Sequence, residues 1–136
     1  MNVAFIHPRP WLGSARDAST FPGATVCIAS PQTCTKATYA IVLYDDDTTS
    51  YESFVYAMVA AARSIDEALK RHRVVMVHCH AGINRSVSAL VHYAVVYRGL
   101  NVRQTMTLLR RENKRRRNLP ALTNPSFFKY LLRMHL

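Results

Sequence analysis

Three cysteines, Cys27, Cys34 and Cys79, are too few to supply a disulfide framework for a chain of 136 residues. Long apolar runs are missing as well. The longest, Phe54 to Ala62, is far too short to cross a bilayer, so no membrane partner is expected. No signal peptide or lipidation motif is legible at the N-terminus. Internal repeats, low-complexity tracts and linker-like stretches are also absent, and the length suits one domain spanning 1–136 with a proper core. Acidic residues are scarce: eight Asp and Glu face eighteen Lys and Arg, a formal net charge of +10. Little about this chain is acidic except one cluster, Asp45-Asp46-Asp47.

What is present reads as one α/β unit. Residues 2–6, 10–12, 24–29, 39–44 and 74–78 have the short apolar character of strands, with a turn or brief helix over 13–18. Pro22-Gly23 and Ser30-Pro31 punctuate the connections. Phe54, Met58, Ala61, Ala62, Ile65 and Leu69 recur at helical spacing, which predicts an amphipathic helix over about 53–71. A helix over 86–97 closes at Gly99, and Asn101 with Gln104 three residues on forms a capping-box pattern for the next. Val102, Met106 and Leu109 stripe that helix, and a last one starts at Asn124-Pro125 and packs Phe127, Phe128, Leu131 and Leu132.

The chemistry concentrates in His78-Cys79-His80-Ala81-Gly82-Ile83-Asn84-Arg85-Ser86, between the strand 74–78 and the helix that follows. A cysteine at the end of a buried strand, five residues from an arginine that opens a helix, sits where backbone N–H groups gather around an anion. That positive surrounding lowers a thiol's pKa and leaves a thiolate. Gly82 supplies the backbone freedom that so tight a curl requires. Cys79 is then a nucleophile that attacks phosphorus and carries it covalently. Arg85 holds two phosphate oxygens with its planar fork, and the amides from His80, Ala81, Gly82, Ile83, Asn84 and Arg85 meet the remaining oxygens. Ser86 donates to the sulfur and eases its departure. Asn84 braces the loop, while His78 and His80 tune it, since a preformed thiolate needs no base.

This stretch resembles the signature of the cysteine-dependent dual-specificity protein phosphatases, His-Cys-x-x-Gly-x-x-Arg-Ser, with every defining position filled. The look is nearest to the short viral enzymes of poxvirus type. Asp46-Asp47-Thr48-Thr49 is similar to their acid loop, Asn124-Pro125-Ser126-Phe127 to the entry of their last helix, and Trp11-Leu12-Gly13 to an early strand phrase. The resemblance implies a single-domain cysteine-phosphatase fold, a central mixed sheet of about five strands flanked by helices. It implies hydrolysis of phosphotyrosine and of phosphoserine and phosphothreonine through a cysteinyl-phosphate, with no metal and no other cofactor. The short chain implies a pocket shallow enough for all three residues. A working thiolate implies a reducing compartment, hence a location inside a cell, in the cytoplasm or nucleus of a host, or in a virion if the source is viral.

The family's second catalytic residue is an aspartate on a loop after a strand, which protonates the leaving oxygen and later activates water. Three residues compete for that role here. Matching the Asp-Asp-Thr-Thr phrase ranks Asp46 first, counting back from the cysteine favours Asp47, and the first acid after the strand is Asp45. Cys27, in the apolar run 24–29, reads as a core residue, and either it or Cys34 could bridge to an oxidised Cys79.

Arg103, Arg110, Arg111, Lys114, Arg115, Arg116 and Arg117 put seven positive charges on one helix and the loop after it. A solvated face and electrostatic steering of phosphorylated proteins both account for them. RNA is a further possible partner, because phosphatases that remove RNA 5′ phosphates carry a similar loop and share the Asn84-Arg85 pair. The chain departs from those at His80, Ala81 and Ser86, and no aromatic ladder lies among the arginines for base stacking. A non-catalytic phosphate-binding module would typically lack the cysteine or the arginine, and both are here.

Overall fold

The computed structural model describes residues 10–136. Four strands, β1 (Trp11–Gly13), β2 (Ala24–Ala29), β3 (Tyr39–Val42) and β4 (Val75–His78), form a sheet in the order β1-β4-β2-β3. Every pairing is parallel, with Leu12 opposite Val77, Val26 opposite Val77 and Ile28 opposite Ile41. The expected α/β architecture is present, and of the about five strands expected in its sheet four lie among the described residues, all parallel. The proposed strand over 2–6 lies outside them. All-parallel pairing follows from the connections, because strands joined through long crossovers run in the same direction. β2 and β4 occupy the middle and are buried along their whole length, as strands covered on both faces must be.

Among the described residues there are five helices: α1 (Ala15–Ala18), α2 (Tyr51–Arg71) and α3 (Arg85–Arg98), which pack on the sheet, and α4 (Val102–Arg117) and α5 (Pro125–His135), which pack on other helices. α2 starts two residues before the expected 53 because Ser50 caps it, accepting from the Ser53 amide. Its buried face is Phe54, Ala57, Met58, Ala61, Ala62, Ile65 and Ala68, the stripe legible in the sequence. α3 is buried without interruption from Ser86 to Ala94, since α2, α4, α5 and the sheet surround it. It ends at Gly99 in the left-handed region, and α4 begins with Asn101 accepting from the Gln104 amide. Among the described residues, no helix is long and apolar enough to cross a membrane.

Cys27 and Cys34 are bonded to each other, their Cα atoms 5.5 Å apart. Cys27 is the buried core residue expected, 0% exposed, and its bond to Cys34 is what the sequence reading did not foresee. The turn after β2 carries Cys34 back against the strand's end, within reach of Cys27. Cys79 shares a buried cluster with them and is the free cysteine. The architecture thus places one buried thiol at the carboxyl end of a central parallel strand, where open α/β sheets bind their ligands.

Candidate active site

β4 ends at His78 and α3 starts at Arg85, so residues 79–84 must close a tight loop at the N-terminus of a buried helix. Gly82 makes this possible with a φ of 74°. An added Cβ there would meet Arg117 Nη1 at 2.5 Å and the Gly13 carbonyl oxygen at 2.6 Å.

The loop's carbonyls are claimed one after another from outside. The Ala15 amide donates to His80 O at 2.9 Å, and Arg117 Nη2 donates to Ala81 O at 2.9 Å. Arg117 Nη1 and Asn113 Nδ2 donate to Gly82 O at 2.7 and 3.3 Å, and the Leu122 amide donates to Ile83 O at 2.9 Å. In a planar trans peptide the carbonyl and the next N–H point in opposite directions. Turning four consecutive carbonyls outward therefore turns the N–H groups of Ala81, Gly82, Ile83 and Asn84 toward the loop's interior. The Gly82 amide donates there to Cys79 Sγ at 3.3 Å. Such a nest of amides at a helix N-terminus is an anion site.

Cys79 is only 2% exposed. Burial by itself pushes its thiol up, but the hydrogen bonds from Ser86, whose Oγ lies 3.2 Å from the sulfur, the charge of Arg85 and the Gly82 amide outweigh it. The net position is below the ordinary 9.0, so the group is predisposed to be a thiolate. Removing the Ser86 hydroxyl takes away the foremost of these lowering causes. Ser86→Ala is expected to move the pH midpoint of Cys79 alkylation by iodoacetamide upward. An unmoved midpoint would show that the hydroxyl does not hold the anion.

Arg85 donates through Nη1 to the Leu43 carbonyl at 2.9 Å, while its Nε is buried and has no protein partner. One corner of the guanidinium is anchored and another is held out of water with its hydrogen-bonding capacity unspent. A tetrahedral oxyanion in the amide nest would complete it. His78 is buried, and that burial pushes its imidazole below 6.5, which favours the neutral form. His80 is exposed, its carbonyl rather than its ring tied into the loop.

The three candidate acids differ in how their oxygens are occupied. Asp46 accepts from the Thr48 hydroxyl at 2.7 Å, the Thr48 amide at 2.9 Å and the Thr49 hydroxyl at 3.3 Å. Those donors, the Thr48 hydroxyl first, hold its carboxyl below the ordinary 3.8. Asp45 accepts from Asn84 on one oxygen and from Asn124 on the other, both at 2.9 Å. Among the described residues, the Asp47 carboxylate accepts from none. No three His, Cys, Asp or Glu side chains among the described residues converge as metal ligands would.

Sequence reasoning missed Arg117 and Asn113 as parts of the site. The charge run places Arg117 on a basic surface, yet its side chain is only 11% exposed and grips the loop, with Asp17 3.9 Å away. Arg110 remains exposed but donates to the Ala121 and Leu122 carbonyls, with its guanidinium over the Phe128 ring. The readable signal was Asn113: it continues the stripe Val102, Met106, Leu109 at helical spacing, where an apolar residue belongs, and it is 1% exposed. A buried amide at such a position must have partners, and Arg117 lies one turn further on.

Residues 25–135 match the family model of the dual specificity phosphatase catalytic domain. No curated protein is similar enough to match. Among solved structures, human DUSP28 aligns with a TM-score of 0.66 at 21% identity, covering 90% of this chain and 84% of its own. Orf virus OH1, described as a tyrosine phosphatase with triple substrate specificity, aligns at 0.59 with 28% identity, covering 90% of this chain and 80% of its own. The human tyrosine phosphatase-like serine/threonine/tyrosine-interacting protein aligns at 0.60 with 20% identity, covering 90% and 88%.

Proposed function

The chain belongs to the dual specificity phosphatase family, and from that premise we propose that it hydrolyses phosphotyrosine, phosphoserine and phosphothreonine in proteins through a phosphate carried on Cys79. One observation carries this reading: a buried thiol held toward its anionic form lies inside a ring of inward-facing amides, beside an arginine with a buried, unspent donor.

In the first step the Cys79 thiolate attacks phosphorus and the oxygen of the substrate side chain leaves. The amides of Ala81 to Asn84 and the Arg85 guanidinium carry the charge on the equatorial oxygens. A carboxylic acid gives its proton to the leaving oxygen. In the second step the same group, now a carboxylate, takes a proton from water, whose oxygen attacks phosphorus and displaces the sulfur. The Ser86 hydroxyl stabilises the departing thiolate.

We assign the proton to Asp47, with Asp46 as the alternative. A carboxyl held below its ordinary range by three donors is a poor acid near neutral pH, and that describes Asp46. Both Asp45 oxygens are committed to amides. Asp47→Ala is expected to lower kcat on phenyl phosphate by about 10²-fold or more and to remove the basic limb of the pH profile. The same result for Asp46→Ala, with Asp47→Ala unchanged, would return the role to Asp46.

The partners in this reading are phosphorylated proteins, steered by the exposed Arg103, Arg111, Lys114, Arg115 and Arg116. Glu112 partly offsets this charge by pairing with Arg115 and Arg116. A thiolate enzyme fits a reducing compartment inside a cell, where Cys27 and Cys34 would stand open as thiols. Phosphate release from phosphopeptides of all three kinds, compared with 5′-triphosphorylated RNA, tests the substrate class. Faster release from the RNA would overturn it.

A further inference from the structure

Asn84 is the N-cap residue of α3, yet its side chain makes no capping bond to that helix. The caps of α1, α2, α4 and α5, Ser14, Ser50, Asn101 and Asn124, all do. Asparagine is a favoured cap, so its diversion calls for a cause. Asn84 is 8% exposed, and its Nδ2 donates to Asp45 Oδ2 at 2.9 Å and to Thr123 Oγ1 at 3.2 Å. Its Oδ1 accepts from the Asn124 amide at 2.9 Å. Asn124 in turn donates through Nδ2 to the other Asp45 oxygen at 2.9 Å, while its own Oδ1 caps α5 at the Ser126 and Phe127 amides. One carboxylate is thus clamped between two side-chain amides, one from the phosphate loop and one from the start of α5.

The same loop is tied down on both sides of this clamp. Arg85 holds the Leu43 carbonyl at 2.9 Å, and the Tyr130 hydroxyl donates to the Thr49 carbonyl at 2.9 Å. With Leu43, Asp45 and Thr49 fastened, Asp46 and Asp47 form the crest between the fastenings. We propose that Asp45 is a positioning residue of the phosphatase reaction: gripped by Asn84 and Asn124, it sets the acid-bearing crest against the phosphate loop. This role depends on the proton donor lying at the crest, as assigned above. Small displacements of a proton donor cost large factors in rate, which explains why the phosphate loop and the start of α5 both bind a carboxylate that itself transfers nothing.

Paired substitutions separate this role from its rivals. In Asp45→Asn, either orientation of the new amide sets one NH2 group against another. In Asn124→Asp, the acceptor that caps α5 survives, and the new oxygen faces Asp45. Each single variant is expected to lower kcat on phenyl phosphate about 10- to 100-fold. The loss should be much smaller on an aryl phosphate whose phenol leaves unaided, with KM nearly constant on both. The double variant Asp45→Asn/Asn124→Asp restores donor-to-acceptor polarity across the pair and is expected to recover most of the rate, with the basic limb of the pH profile intact.

Unaltered kcat in both single variants would overturn the proposal. So would losses equal on both substrates, which would indicate loop collapse rather than misplaced acid. A double variant that stays at the level of Asp45→Asn and lacks the basic limb would make Asp45 the proton donor itself. Asp46→Ala and Asp47→Ala run alongside: if neither shows a leaving-group-dependent loss, the crest holds no acid, and the positioning role falls with that reading. If one does while the position 45 and 124 variants behave as wild type, only the positioning role falls.

Discussion

Cys79→Ser is expected to abolish turnover, lowering kcat on an aryl phosphate on the order of 10⁴-fold or more. The surroundings of residue 79 are arranged for an anion on sulfur: the Ser86 hydroxyl at 3.2 Å, the Gly82 amide at 3.3 Å and the Arg85 charge together bring a thiol below 9.0 despite its burial. A serine hydroxyl ionises so much less readily that the same surroundings leave it protonated, and among the described residues the partners at that position are the Ser86 hydroxyl and the Gly82 amide, neither of them a base. His78 is buried and its Nδ1 lies 3.3 Å from the Cys79 carbonyl oxygen. The substitution changes one buried atom, so the melting temperature should hardly move and the amide nest should survive. The variant should therefore still bind phosphopeptides, measurable by titration calorimetry. Activity within tenfold of wild type would remove Cys79 from the mechanism. Loss of phosphopeptide binding together with activity would mean that the nest does not recognise phosphate.

Arg85→Lys is expected to cost about 10³-fold in kcat/KM. The charge is kept, so the experiment reads geometry rather than electrostatics. Arg85 spends Nη1 on the Leu43 carbonyl and retains a buried, unspent Nε on the same rigid plane. A lysine ammonium can take the place of one of these contacts but not both, so either the tie to the strand end or the bond to phosphate is lost. Vanadate, which adopts the trigonal-bipyramidal shape of the transferring phosphoryl group, should lose affinity by a similar factor. Ordinary phosphate should lose less, because its oxygens are not spread into the equatorial plane. Equal losses for both anions would assign Arg85 to ground-state binding alone.

Legibility followed the range of the interactions. The stripe of α2, the Gly99 stop, the Asn101 cap and the turn at 82 are decided by neighbours a few residues apart, and they were readable as written. The sheet was less so. Strand segments could be recognised singly, but their number, order and shared direction depend on which pair, and β4 lies between β1 and β2 although it follows both in the chain. The Cys27–Cys34 bond has the same character, since spacing alone does not say which sulfurs meet.

The candidate site divides along that line too. Cys79, Gly82, Arg85 and Ser86 could be placed together from their spacing, because a loop of this length at the head of a helix brings its own residues together whatever surrounds them. Only the tertiary structure decided what surrounds them. It drew Arg117 out of a charged run and joined it with the buried Asn113 as supports of the loop's carbonyls. It also sorted three adjacent aspartates into one clamped between amides, one bonded to threonines and one left uncommitted. Side chains that start next to one another acquire different chemistry when residues 39 or 79 positions away choose among them. Such choices are made by packing, after the chain has folded.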